Sequence, residues 1–404
     1  MMTSENENNI QLQKNHCQCR DTDYAAYSYA STANVRKLHE SILGYKPTEL
    51  VSLKTFAEQG GIRAMLVKDE STRFGEQAFK PLGGVYAMFR VICEQLHLDY
   101  RLTSLEQLLN TPQYKEAISK MTFITTTDGN HGRGVSWASG IFGSHSYVYM
   151  PKGTVPVRAE NVSRAGNAHV EITDMLYDDC VKFTDQLALK KGWHLIQDTS
   201  WQGYEQIPEW IMLGYTTMFY EALTQMKAQG YDRPTHVFLQ AGVGSMAGAV
   251  IAALKATYGD KMPIVSTVEP TEVACFYESL KVGDGEPHTS TGNNTTIMAG
   301  LNCATPCGLA WNLFRDYGNY AFAVSDDITR LGMRSLAHPL GNDRKVISGE
   351  SGAVTVGLVD SLLFQPEYES LREELCINQD SVILCISTEG DTDSENYKRI
   401  VENY

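Results

Sequence analysis

The chain has 404 residues, 34 lysines and arginines against 48 aspartates and glutamates, and apolar types at 43% of the sequence. At about 100–200 residues per domain this length calls for two or three domains, and the ordinary charged and aromatic content excludes wholesale disorder. A net charge of −14 argues against a nucleic-acid surface, which needs a basic patch to displace counterions. No run reaches the ~18–20 apolar residues of a membrane span. Met1 to Cys19 is rich in Asn, Gln and Glu and lacks the apolar stretch of a signal peptide. Nine cysteines without an export signal read as mostly reduced thiols. Cys17-Gln18-Cys19 and Cys303…Cys307 lack the second pair of a zinc site, so no metal is expected. These features predict a soluble, cytoplasmic enzyme.

Residues 1–22 are expected to form a flexible tail. Met65-Leu66-Val67 has strand character and ends in the polar turn Lys68-Asp69-Glu70-Ser71. A helix is predicted from Pro81, whose missing N–H costs nothing there. Leu82, Val85, Tyr86, Phe89, Ile92 and Leu96 form its apolar stripe. Phe123-Ile124, Tyr147-Val148-Tyr149, Val170-Glu171-Ile172 and Leu195-Ile196-Gln197 are strand candidates separated by helix-length segments. His236 to Leu239 runs into a glycine turn and an Ala-rich helix over 246–257, followed by strands at Ile264–Val268 and Val382–Ile386. Alternating strands and helices with continuous apolar strands imply parallel sheets covered on both faces. The expected fold is therefore α/β, with two doubly wound parallel sheets. A smaller domain, 91–224, is inserted in a larger one formed by 23–90 and 225–404. In such sheets ligands sit beyond the carboxyl ends of the strands. That rule directs attention to 125–132, 198–201, 240–248, 269–270 and 387–393.

Gln240-Ala241-Gly242-Val243-Gly244-Ser245-Met246-Ala247-Gly248 joins a strand to a helix. Its inward N–H groups and the positive end of the helix suit a phosphate, although the same turn can serve close packing alone. The spacing is one residue longer than the dinucleotide fingerprint, and no Gly-Lys-Ser/Thr follows. Glu269, about twenty residues on, sits where nucleotide folds place a ribose-binding acid, which keeps a nicotinamide dehydrogenase open as a reading. Lys80 precedes Pro81 at the predicted helix start, where the helix dipole and an apolar surround would lower its pKa. A partly neutral amine can form a Schiff base and act as a base. Thr125-Thr126-Thr127-Asp128-Gly129-Asn130-His131-Gly132 follows a strand and crowds hydroxyls, amides and an Asn amide into one turn. Such a turn suits a carboxylate and a phenolate-like oxygen, or else caps the next helix. His131 is given no role.

These segments carry a resemblance. Arg73-Phe74-Gly75-Glu76-Gln77-Ala78-Phe79-Lys80 is similar to the Schiff-base lysine motif of the fold type II, tryptophan-synthase-β-like pyridoxal-phosphate enzymes. Asp128 to Gly132 resembles their loop that grips the substrate carboxylate and the ring oxygen, and Gly242 to Gly248 their phosphate loop. The likeness runs from Gly44-Tyr45-Lys46-Pro47-Thr48 to Ser387-Thr388-Glu389-Gly390-Asp391-Thr392-Asp393. Most relatives that deaminate serine or threonine carry a small residue at the place of Asp128, and their late strand usually ends in a Ser-Gly-Gly-Asn or similar turn. Asp128, Gln197-Asp198-Thr199-Ser200-Trp201 and Gly349-Glu350-Ser351-Gly352-Ala353 instead resemble the diaminopropionate ammonia-lyases.

The resemblance implies elimination from 2,3-diaminopropionate, D and L, to pyruvate and two ammonia molecules, with pyridoxal 5'-phosphate as cofactor and a homodimer as assembly. It implies Lys80 as cofactor lysine and base for the L isomer, Asp128 as base for the D isomer, and Asp198 as counter-charge to the β-ammonium. Asn130, Gly242, Val243, Gly244, Ser245 and Met246 would hold the cofactor. Thr388, or alternatively Ser387, would face its ring nitrogen. Thr126, Thr127, Asp128 and Asp198 would meet the substrate. A serine/threonine dehydratase of the same fold is the alternative, and a non-catalytic cofactor-binding relative is a third possibility.

Overall fold

The computed structural model describes residues 9–17, 21–166 and 168–402. The described residues form eleven strands: β1 (Ile10–Lys14), β2 (Leu50–Ser52), β3 (Ala64–Asp69), β4 (Thr122–Thr126), β5 (His145–Met150), β6 (His169–Ile172), β7 (His194–Leu195), β8 (His236–Gln240), β9 (Ile264–Pro270), β10 (Tyr320–Val324) and β11 (Val382–Ser387). Seven form one sheet in the order β1-β10-β9-β8-β11-β3-β2, and four form a second in the order β6-β5-β4-β7. All four strands of the smaller sheet lie between β3 and β8 in the chain, so it is inserted in the larger one.

The central strands β8, β10 and β11 are buried along their whole length. Alternation along them feeds two apolar cores. Leu66, Val237, Leu239, Leu384 and Ile386 enter the core under the helices Lys80–Gln95 and Gln206–Ala228. Met65, Val67, Phe238, Ile383 and Cys385 enter the core under the helices Asp326–Ala337 and Glu350–Phe364. Successive side chains of a strand point to opposite faces, so a sheet buried on both sides reads as a continuous apolar run.

Three departures from the sequence reading have local causes. Ile10–Lys14 is not loose but pairs antiparallel with β10, and the Asn15 amide donates to the Phe314, Arg315 and Gly318 carbonyls just beyond. Its alternation of Ile10, Gln11, Leu12, Gln13 buries one face only, with Ile10 turned inward. Residues 1–8 and 18–20 of the expected tail lie outside the described residues. The large sheet is not wholly parallel, since β1 and β2 close its two edges in antiparallel fashion. Finally β7 stops at Leu195, because the Gln197 side chain accepts from Thr126 N at 3.0 Å and takes the place of the main chain.

Among the described residues no helix is long and apolar enough to cross a membrane. Their eight cysteines are free thiols.

Candidate active site

The carboxyl ends of β4, β7, β8 and β11 converge on one cleft between the two sheets. It is lined by Lys80, Thr127, Asp128, Asn130, His131, Asp198, Gln240, Gly242 to Met246, Thr388 and Glu389, among others. Lys80 opens the helix Lys80–Gln95, with Pro81 in its first turn. The approach to it is fixed by Arg73, a fully buried guanidinium that donates to Glu70 at 2.7 and 2.8 Å and to Glu221 at 2.7 and 2.9 Å. Gly134 lets the helix Asn130–Phe142 lie against this start, because a Cβ there would meet Pro81 N at 2.9 Å.

Lys80 Nζ donates to Asp198 Oδ2. Burial disfavours the charge on Lys80, but Asp198 outweighs it and raises the amine above its ordinary range. The expected lowering therefore does not occur, because a carboxylate 118 residues away in sequence supplies the counter-charge. Burial would raise Asp198, but its ion pair with the Lys80 ammonium overcomes this and holds the carboxyl below its ordinary range. Asp198 is thus an ionised, buried carboxylate paired with an ammonium.

Burial pushes Asp128 up to about 6, against the opposing pull of Arg158 and Lys80. An acid so placed is largely ionised at neutral pH yet basic enough to take a proton. His131 donates from Nε2 to the Ile196 carbonyl at 2.7 Å, since a carbonyl can only accept. Its Nδ1 stands 3.7 Å from Asp198 Oδ2 with no hydrogen-bond partner, and burial lowers its pKa. Asn130 Nδ2 donates one hydrogen to Glu389 at 2.5 Å, and its second faces no described acceptor.

Across the cleft, Gly244 ends the turn at φ +87, where a Cβ would strike the Phe276 ring at 2.2 Å. The turn delivers the helix Ser245–Tyr258 amino end first. Ser245 Oγ donates to the Asp198 carbonyl at 2.6 Å, so its hydroxyl ties the two sheets together and its N–H remains for an anion. Thr388 Oγ1 accepts from Gln240 Nε2 at 3.0 Å. Ser387 is fully buried away from the cleft and donates to Ser348 Oγ at 2.8 Å. Pyridoxal phosphate fits this donor set: a glycine cradle with no room for a side chain, a lysine, an amide hydrogen and a hydroxyl line one cavity.

Of the residues singled out in the sequence, Lys80, Thr127, Asp128, Asn130, Asp198, Gly242 to Met246 and Thr388 line the cleft. Thr126 does not. Its hydroxyl lies in the core of the smaller sheet, against the Cys180 carbonyl at 3.1 Å and Thr184 at 2.9 Å. Glu269 also lies elsewhere, accepting from Phe276 N and Tyr277 N at 2.9 and 2.8 Å, so it caps a helix rather than awaiting a ribose. His131, Gln240 and Glu389 were not assigned roles from sequence, although each adjoins a segment that was.

Comparison with known proteins agrees with this geometry. The family described as pyridoxal-phosphate dependent enzyme matches residues 42–376. The diaminopropionate ammonia-lyase of Escherichia coli strain K12 is 46% identical over 376 residues, covering 93% of this chain and 92% of that protein. The crystal structure of the selenomethionine-containing holo enzyme from Escherichia coli superposes with a TM-score of 0.90 at 44% identity, covering 97% and 96% of the two chains. The same enzyme solved in complex with an aminoacrylate–PLP azomethine reaction intermediate gives 0.89 at 43% identity over the same shares. More than nine-tenths of both lengths is shared with each of these relatives, and the chain belongs to the pyridoxal-phosphate dependent enzymes, within the diaminopropionate ammonia-lyase family.

Proposed function

We propose that this protein eliminates ammonia from 2,3-diaminopropionate, as D and L isomers, to give pyruvate and two molecules of ammonia. The single observation that carries the reading is Asp198: a buried carboxylate beside the cofactor lysine that already holds an ammonium group. A substrate with a second, cationic amine needs such a counter-charge, whereas a hydroxyl amino acid does not.

When bound, pyridoxal phosphate supplies the electron sink that acidifies the Cα–H bond. Lys80 Nζ would bond to its aldehyde, and the N–H groups of Gly242 to Met246 would hold its phosphate. Asn130 would direct its free amide hydrogen to the ring oxygen, and Thr388 its hydroxyl to the ring nitrogen. Thr127, with the Asp128-Gly129 turn, takes the α-carboxylate. Lys80 Nζ would take the Cα proton of the L isomer, and Asp128 that of the D isomer. Asp198 pairs with the β-ammonium, which departs as neutral ammonia with the electrons of its C–N bond. Water then releases the α-nitrogen as the second ammonia.

For the chain as a whole, the division into 23–90 with 225–404 and 91–224 is part of the same proposal, supported by the smaller sheet lying inside the second span. So is a cytoplasmic homodimer, which sedimentation of the holoenzyme would test. The functional test is a stoichiometric assay. Diaminopropionate should yield two ammonia per pyruvate, and faster than serine yields one at equal concentration. Faster release from serine would establish the dehydratase instead.

A further inference from the structure

We infer that Gln240 is a positioning residue that aims the Thr388 hydroxyl hydrogen into the cleft and so keeps the cofactor's ring nitrogen an unprotonated acceptor. The inference rests on the reading above that Thr388 faces that nitrogen. Gln240 is the last residue of β8, immediately before the glycine turn, and is 3% exposed. Its Nε2 lies 2.8 Å from the Ile386 carbonyl, 3.0 Å from Thr388 Oγ1, 3.1 Å from the Ser351 carbonyl and 3.4 Å from the Gly352 carbonyl. Reversing the amide would set an oxygen against three carbonyl oxygens, so the nitrogen must occupy this place.

An amide NH2 has hydrogens and no lone pair to offer. Thr388 Oγ1 can therefore only accept from Gln240, and its own hydrogen must point elsewhere. Among the described residues no acceptor takes it, and Thr388 lines the cleft. A hydroxyl constrained in this way donates to a pyridine nitrogen that carries no proton. Ser387 cannot compete, because its hydroxyl is spent on Ser348. The other half of the amide points the same way: Gln240 Oε1 is buried without a partner, a cost that an apolar side chain of the same length would not carry. What the amide provides in return is the direction of one hydrogen. An unprotonated ring nitrogen is a weaker electron sink, which favours prompt loss of a β-substituent over proton return to the cofactor.

The test uses the full-length enzyme loaded with pyridoxal phosphate carrying ¹⁵N in the ring, with two readouts: the ¹⁵N chemical shift and the cofactor dissociation constant by equilibrium dialysis. Thr388→Val should weaken cofactor binding about three- to tenfold, the range for one hydrogen bond, and move the ¹⁵N resonance. Gln240→Met should move both readouts to the Thr388→Val values, and the double variant should go no further. Gln240→Glu is the isosteric second variant, with thermal melting of each apo protein as a folding control. Its single acidic hydrogen is drawn to the Ile386 carbonyl, so it accepts from Thr388 and moves the resonance in the same direction. If Thr388→Val shifts the resonance while Gln240→Met and Gln240→Glu keep the wild-type value, the role of Gln240 is overturned and Thr388 stands. If Thr388→Val changes nothing, the Thr388 reading itself falls, and the inference with it.

Discussion

Lys80 Nζ and Asp198 Oδ2 form a buried ion pair that joins the start of the helix Lys80–Gln95 to the chain beyond β7. The amine proposed to bond the cofactor and the carboxylate proposed to bind the substrate's second amine thus lie side by side. On that proposal, a substrate β-ammonium would take over the partner that Lys80 would give up on bonding the cofactor. Asp198→Asn keeps the shape and removes the charge. It should raise KM for diaminopropionate about ten- to a hundredfold, the value of a charge-assisted hydrogen bond, and change KM for serine far less. Steady-state kinetics on both substrates checks this, and equal changes would argue against the pairing.

Asp128 is held at about 6 by burial, against Arg158 and Lys80. A base works only when ionised, so kcat/KM for the D isomer should rise as pH increases through about 6 and level off above it. Asp128→Asn should remove that limb and lower D turnover by about 10²–10⁴-fold, with a smaller effect on the L isomer, for which Lys80 is the proposed base. Parallel pH profiles for the two isomers make the comparison, and identical losses would contradict two separate bases.

Thr126 offers a contrasting case. Its hydroxyl is enclosed with Cys180 and Thr184 rather than facing the cleft. Thr126→Val should destabilise the protein by about 1–3 kcal/mol, the cost of leaving buried polar partners unpaired. KM should not move. Denaturant unfolding together with kinetics separates the two effects, and a raised KM with unchanged stability would place Thr126 in the substrate site.

Much of this was readable in the sequence because the signals were local. The glycine turn over 242–248 and the Thr-Asp-Gly-Asn turn each occupy one strand–helix junction, and the rule that ligands sit at carboxyl ends of strands located both. What escaped depends on partners distant in sequence. The helix dipole at Lys80 was visible, but the dominating charge of Asp198 arrives only with the fold. Three adjacent threonines looked alike, yet the pleat sends them to different places: Thr125 to Gln197, Thr126 to Cys180, Thr127 to the cleft. Ile10–Lys14 alternates over only five residues, too short a pattern to reveal an edge strand without its partner β10. Gln240 ends an apolar strand, and its amide has meaning only once Thr388 lies beside it.

The central claim is that the cofactor is carried on Lys80. Reduction of the holoenzyme with borohydride fixes the carbon–nitrogen bond, and peptide mapping then locates the label. The prediction is a single pyridoxyl group on Lys80, in the peptide containing Gln77-Ala78-Phe79-Lys80-Pro81, and its loss in Lys80→Ala. A label on any other amine, or none at all, would contradict the account.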